Sequence, residues 1–401
     1  MNKKIYKNNK KFKLLYFVSH PIQYQAPLLK EISNHDKIEL TVLFQSSKSL
    51  HSYYDIGFER KIKWDINLLN GYNYKFLKIL YKNKNSSKFF SPIVFGVFNY
   101  LKKEKWDAVW FHGYNHYSIL WALFLCRIMK IPFFMRMESN LLVSPKGKWL
   151  KDKFIKYVVK NARGLLYIGE ENKQYYISYG ASNNKLFSVP YSVDNNFFQN
   201  LFKKEKIKID DVKNKLKLNK KLPIILFAGK FIKRKNPVML LDAFASLCTN
   251  GNPPNSYLLF IGDGSERTIL QNKVKELGLE ENVRLLGFKN QTELGVFFSM
   301  CDVFVLPSEK EPYGLVINEV LNFLKPVITT TEVAAAKDLI EHNVNGFIYE
   351  PQDIKTLSQY LEKFINQRNL SSEMGKKNIH KLNNWSFSES VKGVYKALES
   401  L

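Results

Sequence analysis

Val303-Phe304-Val305-Leu306-Pro307-Ser308-Glu309-Lys310-Glu311-Pro312-Tyr313-Gly314-Leu315-Val316-Ile317-Asn318-Glu319 is the stretch on which the reading turns. Its first residues form a short apolar run closed by proline, which predicts a buried strand over Val303 to Pro307. From Leu315 to Phe323 the pattern becomes helical, so the chain passes from strand through a turn into a helix. A glycine-containing turn at a helix start offers the N–H groups of Tyr313, Gly314 and Leu315 to an anion without a cationic side chain. Glu311 falls before the helix and Glu319 about one turn inside it, so both carboxylates can face one cleft. A carboxylate is a bidentate acceptor suited to the vicinal hydroxyls of a sugar or ribose. The plainer account makes Glu311 a cap and Glu319 half of a surface ion pair.

The same alternation runs outward in both directions. After it comes strand Pro326 to Thr330; before it lie strands Pro223 to Ala228, Tyr257 to Ile261 and Val283 to Leu285. Helices Pro237 to Cys248, Arg267 to Leu277 and Gln291 to Ser299 fall between them. In the first half, strands are expected at Lys13 to Val18, Ile38 to Phe44, Ala108 to Phe111, Pro132 to Arg136, Gly164 to Ile168 and Leu186 to Ser188, with Pro27 to Ile32 and Lys151 to Asn161 helical. Strands alternating with helices are the mark of βαβ units on parallel sheets. A lysine-rich stretch from Phe198 to Lys221, where apolar residues thin out, sets the boundary between two domains, 1–198 and 199–384. The fold class expected is α/β, two doubly wound Rossmann-like domains with a ligand cleft between them at the carboxyl ends of both sheets.

Composition agrees with that size. At 401 residues the chain exceeds what one core supports, and its 45% hydrophobic content excludes wholesale disorder. The three cysteines, Cys126, Cys248 and Cys301, are dispersed, so no disulfide framework or zinc spacing is expected and a cytoplasmic setting is. The apolar run Leu14 to Val18 is too short for a signal-peptide core. The longest lipid-like stretch, Tyr117 to Cys126, is about half of the ~20 residues needed to span a bilayer. A soluble or peripheral protein is expected. Net charge is +25, and residues 1–200 hold 32 Lys+Arg against 13 Asp+Glu. That asymmetry either points to an anionic partner, such as a membrane surface, or reflects a lysine-rich background. In Lys146 to Asn161, apolar Leu150, Phe154, Tyr157 and Val158 recur among lysines. This segment is read either as a membrane-facing helix or as a basic helix packed on the sheet.

Gly229-Lys230 follows a strand and Lys235 precedes a helix start. Two ammonium groups on such a turn make a diphosphate cradle, or else a solvated loop tip with Lys233 and Arg234. Gly262-Asp263-Gly264 follows the next strand. His112 lies at the end of strand Ala108 to Phe111. His20, Arg136 and Glu138 also lie at strand ends, where a buried histidine or an internal Arg136–Glu138 ion pair competes with contact to a second substrate.

These features together resemble the retaining glycosyltransferases of family 4, which have the GT-B fold. The resemblance rests on Glu311 and Glu319 with seven residues between them, the Pro307-Ser308 lead-in, Gly229 with Lys230 and Lys235, Gly262-Asp263-Gly264, Leu286-Gly287-Phe288 and Asn345-Gly346-Phe347. It implies transfer of a sugar from a nucleotide-diphosphate sugar to an acceptor hydroxyl with retention at the anomeric carbon. Catalytic roles fall to Glu311, His112, Lys230 and Lys235, and donor binding to Glu319, Tyr313, Gly314, Leu315, Gly229, Gly262 and Phe288. The acceptor side falls to His20, Gln23, Arg136 and Glu138, and the loop Ser19-His20-Pro21-Ile22-Gln23-Tyr24-Gln25-Ala26-Pro27 replaces the usual glycine-rich one. No metal and no cofactor beyond the nucleotide sugar are implied. The resemblance also implies a hinge at Pro190 to Asp194, a terminal helix within Trp385 to Leu401 that returns to the first domain, and a glycan or lipid-linked acceptor.

Besides that loop, two further departures from the family pattern stand out: Lys230 replaces the usual arginine, losing its planar fork, and Leu324 replaces a glycine. A nucleotide-sugar epimerase of similar architecture is the rival enzyme, disfavoured by the lysine pair. A nucleic-acid-binding protein explains the charge but not the paired glutamates, and no nucleic acid is expected as a partner.

Overall fold

The computed structural model describes residues 10–81, 89–249 and 252–401. Along the first half run β1 (Phe12–Val18), β2 (Ile38–Phe44), a hairpin of β3 (Tyr53–Asp55) and β4 (Arg60–Ile62), then β5 (Asn73–Phe76). A second hairpin pairs β6 (Lys78–Tyr81) with β7 (Ile93–Phe95). β8 (Ala108–His112), β9 (Phe133–Arg136), β10 (Gly164–Tyr167) and β11 (Leu186–Ser188) follow. Seven strands form one parallel sheet in the order β11-β10-β9-β8-β1-β2-β5. The second half gives β12 (Ile224–Ala228), β13 (Tyr257–Ile261), β14 (Val283–Leu285), β15 (Val303–Leu306), β16 (Val327–Thr330) and β17 (Gly346–Tyr349). They form a parallel sheet in the order β14-β13-β12-β15-β16-β17.

Both sheets are covered by helices on both faces, which is why β12, β13 and β15 are buried at every position. Parallel strands send every strand-to-helix turn to one edge. The register fixes which residues meet there: His112 on β8 sits opposite Arg136 on β9. Gly229 follows β12 directly and donates its N–H to Ile261 O at the end of β13.

The lysine-rich boundary is not an open linker. Helices Asn195–Glu205 and Ile209–Lys215 occupy it, and Phe198 is buried in the core of the second sheet. A helix can form there because Asp194 caps it, accepting the Phe197 N–H, while its lysines face solvent. Helix Trp149–Asn161 buries Ile155, Val158 and Val159 in the first core. The helix does pack on the first core, but not by the expected stripe: of Leu150, Phe154, Tyr157 and Val158 only Val158 is buried, and Leu150 and Tyr157 stay exposed with Trp149.

Helix Phe387–Glu399 lies against β11 and helix Ala26–Ser33 of the first half. A Cβ at Gly393 would come 1.8 Å from Ser188 O, so only glycine permits that approach. Gly393→Ala should cost about 1–3 kcal/mol through forced separation of the helix from β11. A urea melt checks this, and an unchanged midpoint would show that the helix does not depend on the contact.

Candidate active site

The carboxyl ends of the two sheets face each other; Gln23, Gly229, Gly262, Phe288 and Glu319 line one cavity there and His112 and Glu138 another, while Lys230, Lys235, Glu311 and His20 line neither. The first, of about 210 Å³, is lined from the second domain by Gly229, Gly262, Phe288, Gln291 and Glu319. Its remaining wall comes from the first domain: Gln23, Phe58 and Trp64. The loops after β12 and β13 touch backbone to backbone here. A Cβ at Gly262 (φ +142) would lie 1.8 Å from Gly229 O, which explains glycine at 262.

Glu319 sits on the short helix Leu315–Leu321. Burial raises its carboxyl to about 8, against a hydrogen bond from Gln291 that lowers it. Gly314, left-handed at φ +104, opens that helix, and the Ile317 N–H of the first turn donates back to Gly314 O. Tyr313 is buried with its ring 5.2 Å from that of Tyr191, and its hydroxyl accepts the Trp385 indole N–H.

Glu311 precedes this turn, but it does not cap the helix. Its Oε2 lies 2.5 Å from Lys235 Nζ and 3.1 Å from Arg234 Nη1, with Lys235 and Glu311 nearly buried and Arg234 exposed. Arg234, read only as part of a basic run, is therefore part of the site. Lys230 turns the other way: its Nζ is 2.8 Å from Asp55 Oδ1 and 4.9 Å from the Phe58 ring centre. Asp55 also accepts the N–H groups of Gly57 and Phe58, so one carboxylate both builds the β3–β4 turn and fastens it to the second domain. Phe58 meets Phe288 edge-on at 5.0 Å, and Arg60 lies 3.6 Å from Asp263.

The second cavity, of about 330 Å³, is lined by Ser19, His112, Tyr114, His116, Glu138 and Ser139 of the first domain, with Pro312 of the second. His112 Nε2 donates to Glu138 Oε1 at 3.1 Å, while the Gln25 amide Nε2 lies 3.3 Å from the other ring nitrogen, Nδ1. Burial alone would raise the Glu138 carboxyl. The His112 hydrogen bond and charge, the Tyr191 hydroxyl and Arg136 instead bring it down to about 2. Asn140 Nδ2 donates to Pro312 O at 2.8 Å, pinning this cavity to the loop that carries Glu311. Burial, with Lys48 and the neighbouring histidines, lowers His20 to about 4, and its Nδ1 is 2.9 Å from Ser19 Oγ. Among the described residues no group of three His, Cys, Asp or Glu side chains could hold a metal ion.

Two acceptor-side expectations are corrected. Arg136 is 1% exposed and stacks between the Trp110 and Tyr191 rings, at 5.9 and 5.1 Å, so it neither reaches a ligand nor bridges to Glu138. Its register at the strand end is right, but the rings enclose the guanidinium. Gln23 lines the Glu319 pocket rather than the His112 cavity, because the loop after β1 runs along the seam between domains. Sequence reading missed Asp55, Phe58 and Gln25. The Asp-X-Gly spacing at 55–57 is a turn signal that could have found the first hairpin.

Two doubly wound sheets facing across a cleft define the GT-B fold, and solved structures share it across nearly the whole chain. Anabaena HepE in complex with UDP-glucose superposes with a TM-score of 0.71 at 18% identity, covering 97% of this chain and 100% of that one. Residues 208–381 match the family described as glycosyl transferases group 1. An uncharacterized glycosyltransferase of Methanocaldococcus jannaschii is 26% identical over 230 residues, 57% of this chain and 63% of that protein. The capsular polysaccharide biosynthesis glycosyltransferase CapM of Staphylococcus aureus is 29% identical over 235 residues, 58% of this chain and 56% of CapM. The chain thus matches somewhat more than half the length of these relatives.

Two outcomes follow from the geometry. Glu319 binds its proton more tightly folded than unfolded, so between its ordinary value near 4.5 and about 8 stability falls as pH rises. Glu319→Gln should leave the urea midpoint unchanged at pH 4 and raise it at pH 8.5; equal midpoints at both would remove Glu319 from the buried pocket. Asp55→Asn should loosen the β3–β4 hairpin, speeding amide exchange at Gly57 and Phe58 by up to about fivefold, the equivalent of a partly exposed ion pair worth up to about 1 kcal/mol. The strands of the second sheet should exchange as before.

Proposed function

We propose that the protein is a retaining glycosyltransferase that moves a sugar from a nucleotide-diphosphate sugar to an acceptor hydroxyl in polysaccharide or glycolipid synthesis. The observation that carries this reading is the turn after β12, which sets Arg234 and Lys235 against Glu311 and Lys230 against Asp55, beside the pocket of Glu319. Each lysine is matched to a carboxylate, Asp55 or Glu311, and a diphosphate would take the place of Asp55 on Lys230. HepE, of the same fold, binds UDP and UDP-glucose, and CapM is named for capsular polysaccharide, which supports this donor class and pathway type.

In this reading the nucleoside enters the pocket of Gly229, Gly262 and Phe288, and its ribose hydroxyls donate to Glu319. Lys230, Lys235 and the N–H groups of Tyr313, Gly314 and Leu315 face the diphosphate, whose charge grows as the anomeric C–O bond breaks. Donors fixed in place before the reaction stabilise that charge without reorganising. Glu311 and His112 hold the sugar, with Glu138 fixing the histidine ring. The acceptor oxygen attacks from the face that the diphosphate leaves, forming the new C–O bond while its proton passes to a phosphate oxygen. No residue is required as a covalent nucleophile, and no metal is required to neutralise the diphosphate.

Incubation with a panel of sugar nucleotides should release one nucleoside diphosphate, and the product's anomeric proton should report the donor's configuration. Lys235→Ala should lower kcat by about 10²-fold with a smaller change in KM, as for loss of one preorganised charge donor. A product of inverted configuration would discard the front-face route, and turnover unaffected by Lys230→Ala and Lys235→Ala would move the phosphate site elsewhere.

A further inference from the structure

Helix Tyr117–Ile128 has no polar face. Ile119, Ala122, Leu123, Leu125 and Cys126 are buried in the first core, as the inner side of a surface helix should be. The outer side should be charged, yet Tyr117, Trp121, Phe124 and Ile128 recur at spacings of four, three and four residues and are 37, 41, 52 and 61% exposed. Trp121 and Phe124 stack on each other at 5.5 Å in the open. The neighbouring hairpin and the helix Val97–Lys103 extend this face with Phe90, Phe95 and Phe98, each at least 46% exposed, and Phe90 lies 5.8 Å from the Tyr117 ring. A contiguous apolar surface of this kind marks a contact with something apolar.

Charge identifies the partner. Residues 89–103 and 117–130 carry Lys102, Lys103, Arg127 and Lys130 and no Asp or Glu at all. A protein partner favours surfaces depleted in lysine, whereas aromatic side chains edged with lysine and arginine suit the headgroup boundary of an anionic bilayer. At 12 residues, or about 18 Å, the helix is fit to lie in that boundary and not to cross it. Among the described residues no helix is long and apolar enough to cross a membrane.

The face also adjoins the site. His116 occupies the N-cap position of this helix and lines the cavity of His112 and Glu138. Tyr117, first of the exposed stripe, donates its N–H to Phe89 O.

We propose that this aromatic face seats the protein on an anionic membrane, with the His112–Glu138 cavity opening beside it to receive the polar head of an amphiphilic acceptor. The acceptor half of the proposal rests on the transfer reaction proposed above; the docking half does not. It moves the membrane contact away from the lysine-rich helix Trp149–Asn161 to the helix before it.

The full chain is sedimented with vesicles of phosphatidylcholine, with and without 30% phosphatidylglycerol, and compared with W121S/F124S and with K148Q/K151Q/K153Q. The wild type should bind the anionic vesicles. W121S/F124S should lose at least tenfold in partitioning at unchanged thermal melting and unchanged donor hydrolysis, while the lysine variant loses less. In transfer assays each monosaccharide is offered free and as its octyl glycoside. The octyl form should react at least tenfold faster in the wild type, with that preference lost in W121S/F124S. Failure of the wild type to bind anionic vesicles, or full binding by W121S/F124S, overturns docking. So does a wild-type dimer that W121S/F124S dissolves, which would make a second copy the occupant. Vesicle binding without release of any nucleoside diphosphate would leave the docking face standing and remove the transfer reaction.

Discussion

The carbonyl oxygen of Gly229 stands where a side chain at position 262 would begin. That single approach lets the turns after two neighbouring strands close to backbone contact, and the site is arranged around it. Gly262 passes its own N–H to Gly287 O, so three successive turns along the sheet edge are tied by main-chain hydrogen bonds. Side chains can then point into the cleft instead of holding the loops together. This frees Lys230, Phe288 and Glu319 to serve a ligand, which a loop edge held by its side chains would not allow.

The facing half of the site depends on a seam of aromatic rings and amides. Tyr24, Tyr191 and Tyr313 meet edge to face, and Asn318 donates to Tyr191 O across the domains. Beside them Asp338 of the second domain accepts the Glu170 N–H at the start of helix Glu170–Ser178 in the first. Its carboxyl is raised to about 7 by burial despite that bond, so this contact titrates near neutrality. Such polar contacts between domains order the cleft without welding it shut.

Legibility in the sequence followed how local each cause was. The strand–turn–helix of residues 303–321 was readable because the hydrophobic period changes within one short stretch and glycine marks the change. So were the strand ends bearing His112 and Gly229. The β3–β4 hairpin was marked only by its Asp55-Ile56-Gly57 turn, since three-residue strands carry no period, and the hold of Asp55 on Lys230 comes from 175 positions away. Arg136 was located correctly and misread, because the two rings that enclose it come from β8 and from the segment after β11. Helix Tyr117–Ile128 was seen only as an apolar run. With hydrophobic residues on every side, the pattern could not say which side would be left uncovered.

The chain crosses between domains twice, once near Pro190 and once near Trp385, and the two crossings are laced together. Ser390 Oγ donates to Pro190 O at 2.9 Å, and Asn195 Nδ2 to Trp385 O at 2.9 Å. A body hung on one strand can swivel about any axis, but one hung on two adjacent strands turns as a door does on its pins. Two laced crossings resist rotations that would slide Glu138 sideways past Glu311. A short return of the chain at its C-terminus thereby sets the geometry in which the two half-sites meet.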